Sequence, residues 1–372
     1  MPTSLRWGLM GTARINRSLI PAIRAGERST LVAVASRDQA RADAYAREWE
    51  IPRAFGSYEA LVVDPEIDAV YVPLPNHLHV EWTVAAARAG KHVLCEKPLA
   101  LDAAGVDRIA EAARTHKVAI AEAFMYRHQA QTDRVLSLVA EGAIGRLRFV
   151  RGSFSFPLTR EGDVRLTPEW GGGALWDVGC YPVTYAMLLA GGAPATVSGR
   201  AESGPTGIDL TFAGVLQFAD GMLGAFDCGF ASVFRTGMEI VGTDGVLLVD
   251  NPFKPGPHER LRLQREGRET SIAVDGGALY SGEIADIERA ALDGAPCRVS
   301  LDESRASAAT LAALLQSAHD GRHVRVLDHT SKTTRGRVRP SRERKPTVPL
   351  LEYNRPGIIV MNTGMIPQRC GE

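Results

Sequence analysis

From residue 5 to about residue 124 the chain repeats a short apolar run, a break and an amphipathic stretch, the pattern of stacked β-α-β units. The apolar runs fall at residues 5–10, 31–35, 69–74, 92–95 and 118–121. Each is short and apolar enough to be a strand buried on both faces, which predicts a parallel sheet. Residues 40–49 and 82–89 carry helical periodicity, and Gly90-Lys91 is a stop signal for the second. Right-handed crossovers wind such elements into a Rossmann-like domain.

Past about residue 145 the pattern changes to longer, β-rich runs at 147–156, 210–219, 222–231, 238–241 and 246–249, which predict a largely antiparallel sheet. Asp220-Gly221 and Asp244-Gly245 each separate two such runs, where a tight hairpin needs residues that tolerate positive φ. Helical patterns at 282–292 and 302–319 are expected to return onto a sheet face, and the folded part is expected to end near Val326. The fold class is therefore α/β: an N-terminal Rossmann fold followed by a C-terminal α+β domain built on a large, mainly antiparallel open sheet. The expected division is 1–124, 125–326 and a tail at 327–372, basic from 332 to 345. Such a tail buries too little apolar area to offset its ordering entropy and reads as disordered.

Composition narrows the partners. With 372 residues, 45% hydrophobic and 23% charged, the chain can bury two cores. Its 43 basic and 43 acidic residues balance, so no overall field favours nucleic acid or an anionic membrane, and the tail lacks the aromatics of a nucleic-acid patch. The start carries no apolar leader and no run approaches the roughly 20 residues of a membrane span, which reads as cytoplasmic. Cys95, Cys180, Cys228, Cys297 and Cys370 are scattered and odd in number, which suits neither disulfides nor zinc. His77 and His79 lack a third ligand at metal spacing, so no metal is expected.

The first predicted strand runs into Gly11-Thr12-Ala13-Arg14-Ile15 and then a helix, where a dinucleotide fold places its phosphate-binding turn. The usual three glycine positions hold Gly11, Ala13 and Asn16, so the motif alone is weak. The second strand ends at Ser36-Arg37, with no carboxylate to accept from a ribose 2′-hydroxyl. A guanidinium there suits a 2′-phosphate, which favours NADP over NAD. Arg37 also admits a plain role as a solvated charge, with Asp38 capping the next helix.

Pro75-Asn76-His77-Leu78-His79, Glu96-Lys97-Pro98 and Gly171-Gly172-Gly173-Ala174-Leu175-Trp176-Asp177 together closely resemble the Gfo/Idh/MocA oxidoreductase family, from about Arg6 to Val326. The resemblance implies that Gly11, Thr12, Ala13, Arg14 and Ile15 hold a pyrophosphate and Ser36 and Arg37 a 2′-phosphate. It places Leu74, Asn76 and His79 by the middle of the cofactor, and Glu96 and Lys97 by the nicotinamide ribose. Arg127 joins the cofactor set; Arg165, Trp170, Met125 and Tyr126 fall on the substrate side. Position 181 is a histidine in much of the family; Tyr181 places the chain nearer the dihydrodiol dehydrogenase, xylose dehydrogenase and anhydrofructose reductase branch. The catalytic set is then Lys97, Tyr181 and Asp177. Tyr181 is expected to act as a base, its phenolate held by the Lys97 ammonium, with Lys97 donating to the oxyanion and Asp177 orienting substrate hydroxyls. Asp177 as a helix cap and Tyr181 as a buried aromatic are the plain alternatives.

The implied activity is NADP-dependent hydride exchange with a small sugar-like substrate, a cyclic polyol or a dihydrodiol, in a homodimer or homotetramer joined through one face of the C-terminal sheet. A non-catalytic NADPH sensor and a nicotinamide-retaining glycoside hydrolase are the alternatives.

Overall fold

The computed structural model describes residues 3–160 and 162–326; the segment 327–372, expected to be a disordered tail and holding Cys370, lies outside them. Strands β1 (Leu5–Met10), β2 (Ser29–Ala35), β3 (Arg53–Phe55), β4 (Ala69–Val72), β5 (His92–Glu96) and β6 (Ile120–Ala123) form a parallel sheet in the order β3-β2-β1-β4-β5-β6. Trp7, Leu9, Val70, Tyr71, Val93 and Leu94 are buried in it, as strands covered on both faces require. Helices α1 (Asn16–Ala25) and α2 (Gln39–Glu48) supply one face. The other is covered by α3 (Tyr58–Val63), α4 (His79–Arg88) and α5 (Ala103–His116). Strand order reverses between β1 and β4, which opens a crevice at the carboxyl ends of the strands.

The chain continues through α6 (Ala130–Ala140), β7 (Leu147–Ser155), α7 (Cys180–Ala190), β8 (Thr196–Ser203), β9 (Asp209–Gln217), β10 (Leu223–Gly229), β11 (Arg235–Gly242) and β12 (Gly245–Val249). It ends with β13 (His258–Arg265), β14 (Arg268–Asp275), α8 (Ser281–Asp293), α9 (Leu301–Asp320) and β15 (Val324–Arg325). The nine strands run β14-β13-β12-β11-β7-β10-β9-β8-β15, antiparallel except where β7 meets β10. Val183 of α7 and Leu311 and Leu314 of α9 bury one face against Val150, Phe212 and Ile240. The opposite face exposes Val215 and Leu223.

α8 crosses back to the parallel sheet, where Ile284 and Ile287 join Leu9, Tyr71 and Leu94. Both hairpins between runs are present. Gly221 takes φ +89°, as expected. Gly245 does not take positive φ, so that expectation fails: glycine is needed because a Cβ would stand 2.7 Å from the Gln264 carbonyl of the neighbouring strand.

Candidate active site

One cavity of about 1400 Å³ runs from the Gly11 turn to the second sheet. That exceeds the roughly 300–1,000 Å³ of an ordinary small-ligand pocket, which leaves room for a dinucleotide and a second molecule. At one end, Gly11 follows β1 with φ +104°, and the Asn16 amide donates to its carbonyl at 2.9 Å. Asn16 thus closes the turn from a position where the usual fingerprint has glycine. α1 begins there with no side-chain cap and no acidic residue in its first turn, so its N-terminal N–H groups stay available to an anion. Thr12, Ala13, Arg14 and Ile15 line this end.

At the tip of β2, Ser36 and Arg37 line the cavity together with Arg41, which the sequence reading missed although it lies four residues on. The Arg41 Nε donates to Thr12 Oγ1 at 2.8 Å. Asp38 is turned away: its carboxylate accepts from the Arg41 backbone N–H at 2.7 Å and caps α2. Two guanidiniums and no free carboxylate therefore border the place of the ribose 2′ substituent, a donor set that fits a 2′-phosphate.

The loop after β4 carries Leu74, Asn76, His77 and His79. Asn76 donates to the Gly171 carbonyl at 2.8 Å, and His77 stacks on Trp170 with centroids 5.9 Å apart, which ties this loop to the glycine-rich segment. His79 lines this stretch of the cavity too, but its ring nitrogens face the protein. It is wholly buried, with its ring nitrogens each 2.7 Å from a carbonyl, those of Leu74 and Pro98. Its role is to position two loops, with no nitrogen left for a ligand.

Lys97 follows β5, joined to Pro98 by a cis peptide bond. Its ammonium donates to the Asp177 carbonyl at 2.6 Å and to Asp177 Oδ1 at 2.9 Å, and stands 5.1 Å from the centroid of the Tyr181 ring. Burial opposes that charge, but Asp177, with help from Cys180 and Glu96, outweighs it and holds the Lys97 pKa above its usual range. Glu96 beside it accepts from the Tyr71 hydroxyl at 2.5 Å, and burial raises its pKa against the pull of Lys97.

Asp177 is no helix cap. It lies in a wide turn, Leu175–Gly179, of the π type that interrupts helices at functional sites, immediately before α7. Its Oδ2 accepts from Arg165 Nε at 2.7 Å, and Arg165 in turn pairs with Asp163 at 3.2 Å. Burial alone would raise the Asp177 pKa, yet Lys97 and then Arg165 hold it at about 2. The carboxylate is thus a bridge between two cations.

Tyr181 lines the same cavity at 3% exposure, its ring edge-on to Phe124 and Phe154 and its hydroxyl 3.7 Å from Met125 Sδ. Burial, and after it the neighbouring Cys180 and Glu96, push the phenol well above its ordinary pKa, against the direction a base working near neutral pH needs. Tyr181 is a phenol that keeps its proton at neutral pH.

Arg165, Trp170 and Met125 line the cavity as expected, but Tyr126 and Arg127 do not. Tyr126 is fully buried and donates to Thr184 at 3.0 Å. Arg127 is pulled away from the cavity into a 2.9 Å ion pair with Glu303 at the start of α9. Missed altogether were Phe253 and Lys254, from the loop joining β12 and β13, and Tyr280 before α8.

Residues 5–124 match the oxidoreductase family with an NAD-binding Rossmann fold, and residues 132–248 match the GFO/IDH/MocA C-terminal domain. A D-xylose 1-dehydrogenase (NADP(+)) 2 from Haloferax volcanii is 37% identical over 324 residues, 86% of this chain and 99% of that protein. A trans-1,2-dihydrobenzene-1,2-diol dehydrogenase from Bos taurus is 33% identical over 293 residues, 75% of this chain and 87% of that one. A 3-ketoreductase from Actinomadura kijaniata, solved in complex with NADP and TDP-benzene, aligns with a TM-score of 0.80 at 30% identity, covering 84% of this chain and 98% of that one.

Proposed function

The chain belongs to the Gfo/Idh/MocA oxidoreductase family, and from that premise we propose that it is an NADP-dependent oxidoreductase exchanging a hydride with a hydroxyl or ketone of a sugar, cyclic polyol or dihydrodiol. The observation that carries this reading is the placement of Lys97 and Tyr181, 5.1 Å from ammonium to ring centroid, on one wall of the cavity that Gly11, Arg37 and Arg41 also line. NADP supplies or accepts the hydride when bound. The turn at 11–15 would hold its pyrophosphate, Ser36, Arg37 and Arg41 its 2′-phosphate, and Leu74, Asn76 and Glu96 its central part.

The chain's own part is proton and charge management. In reduction, Tyr181 donates its phenolic proton to the carbonyl oxygen while Lys97 donates a hydrogen bond to the same developing oxyanion. A phenol that holds its proton suits this direction. Asp177 fixes the Lys97 ammonium between the two halves of the site and keeps it charged. Arg165 holds Asp177 from the other side, and Trp170 borders the substrate end.

We further place cofactor binding in residues 1–124 and substrate binding with self-association in 125–326. Val215 and Leu223 on the uncovered sheet face support a homodimer or homotetramer. Among the described residues no helix is long and apolar enough to cross a membrane, which accords with a cytoplasmic setting. The test is a screen of pyranoses, inositols, anhydro-sugars and trans-dihydrodiols with NADP and with NAD. Growth of the NADPH absorbance band with at least one substrate is expected. NADPH binding without turnover would indicate a sensor, and aryl-glycoside cleavage without net redox would indicate a hydrolase.

A further inference from the structure

Most charged groups on the inner wall of the cavity are already matched. Asp177 bridges Lys97 and Arg165, Asp163 pairs with Arg165, and Glu96 accepts from Tyr71. Two cations on the walls contributed by the second half of the chain are left over. Lys254 and Arg160 both line the cavity, and neither has an ion-pair or hydrogen-bond partner for its side chain among the described residues.

Lys254 is held in place by a built loop. The Asn251 amide donates to the Lys254 carbonyl at 2.6 Å and to Glu259 Oε1 at 3.0 Å, and Glu259 also accepts from the Gly256 N–H at 2.6 Å. Pro252 and Pro255 flank the segment, and Phe253 is fully buried, its ring centroid 5.3 Å from Phe154 and 5.5 Å from Tyr181. Anchoring Phe253 beside Tyr181 fixes the backbone that carries Lys254 next to the reacting end. The side chain itself is exposed to the cavity. Burial of its surroundings, and next the like charge of Lys97, weaken its hold on a proton, and an anion bound beside it would restore that hold. Arg160 belongs to the segment between β7 and Gly171 that also carries Arg165.

We propose that Lys254, with Arg160, forms a subsite for an oxyanion carried by the substrate, so that the preferred substrate is an anionic sugar derivative. This rests on the oxidoreductase reading above and adds a substrate class to it. A carboxylate, a phosphate monoester and a diphosphate share the chemistry that a lysine and an arginine recognise.

The test is calorimetric titration of the NADPH-saturated enzyme with D-glucose, D-glucuronate, D-glucose 6-phosphate and dTDP-glucose. At least one anionic sugar is expected to bind 10-fold or more tightly than D-glucose, and the arm that does so identifies the oxyanion. Lys254→Ala should cut that advantage roughly 10- to 100-fold, the scale of a lost charge-assisted hydrogen bond. Lys254→Arg should restore most of it, and raising the salt concentration should shrink it. NADPH titration reports whether each variant is folded, and Arg160→Ala gives the same comparison for the second cation. Equal or weaker binding of every anionic sugar, or an advantage untouched in both alanine variants, would overturn the subsite while neutral-sugar turnover left the oxidoreductase reading standing. Anion preference without NADP-linked turnover of any arm would support the subsite and count against that reading.

Discussion

Replacing Asp177 by Asn removes the charge that joins the two cations of the site. The carboxylate's pKa is drawn from 3.8 to about 2 by Lys97 and Arg165 acting against burial. At about 1.4 kcal/mol per pKa unit, the folded protein favours the ionised form by about 2–3 kcal/mol. Because the folded value lies below the unfolded one, that contribution is complete above about pH 4 and is lost as pH falls toward 2. Asp177→Asn should therefore lose about 2–3 kcal/mol at pH 7, and the gap should stay flat between about pH 5 and 8. Urea denaturation at several pH values, read as midpoint and slope, measures it. The same variant frees Lys97 from the strongest of the partners that offset its burial, so the Lys97 pKa should drop and the alkaline limb of reductive turnover should move to lower pH. An unchanged midpoint at pH 7, or an unmoved alkaline limb, would show that Asp177 is not the ionised bridge described here.

Arg37→Asp should raise the KM for NADP roughly 10- to 100-fold and narrow or reverse the preference over NAD, since a 2′-phosphate loses a charge-assisted donor and meets a carboxylate; paired steady-state assays with both cofactors decide it. Tyr181→Phe should keep NADPH binding and lower kcat by roughly 10²–10⁴-fold, the usual worth of general acid catalysis, and wild-type turnover would remove the phenol from the reaction. Gly173→Ala should destabilise the fold by at least about 1–3 kcal/mol, because Gly173 takes φ +123° and a Cβ there would lie 2.1 Å from Asp209 Oδ1; a thermal melt at the wild-type temperature would contradict it.

Much of the first domain is legible as pattern, because a strand buried on both faces must be largely apolar, as at Ala69–Val72 and, Arg6 apart, at Leu5–Met10. Arg53–Phe55 escapes notice because it is a half-buried, three-residue edge strand. β13 escapes for a different reason: in His258–Arg265 only Leu261 is fully buried, so charged residues outnumber the apolar signal. The site divides the same way. Lys97 and Asp177 stand in motifs, whereas Lys254 comes from a hairpin loop whose Asn-Pro-Phe-Lys-Pro-Gly residues announce only a turn. Arg127 reads as a cofactor contact until α9 supplies Glu303 from far along the chain. The state of Tyr181 could not be read from residue types, since it depends on the burial of its ring among Phe124, Phe154 and Phe253, which come from distant parts of the chain.

The most direct test of the central claim is the single-turnover rate of Lys97→Met, saturated with NADPH and with the best carbonyl substrate from the screen. If the ammonium at 97 stabilises the oxyanion beside Tyr181, NADPH affinity holds while the rate falls about 10²–10³-fold or more. A wild-type rate in a variant that binds NADPH normally would contradict the account.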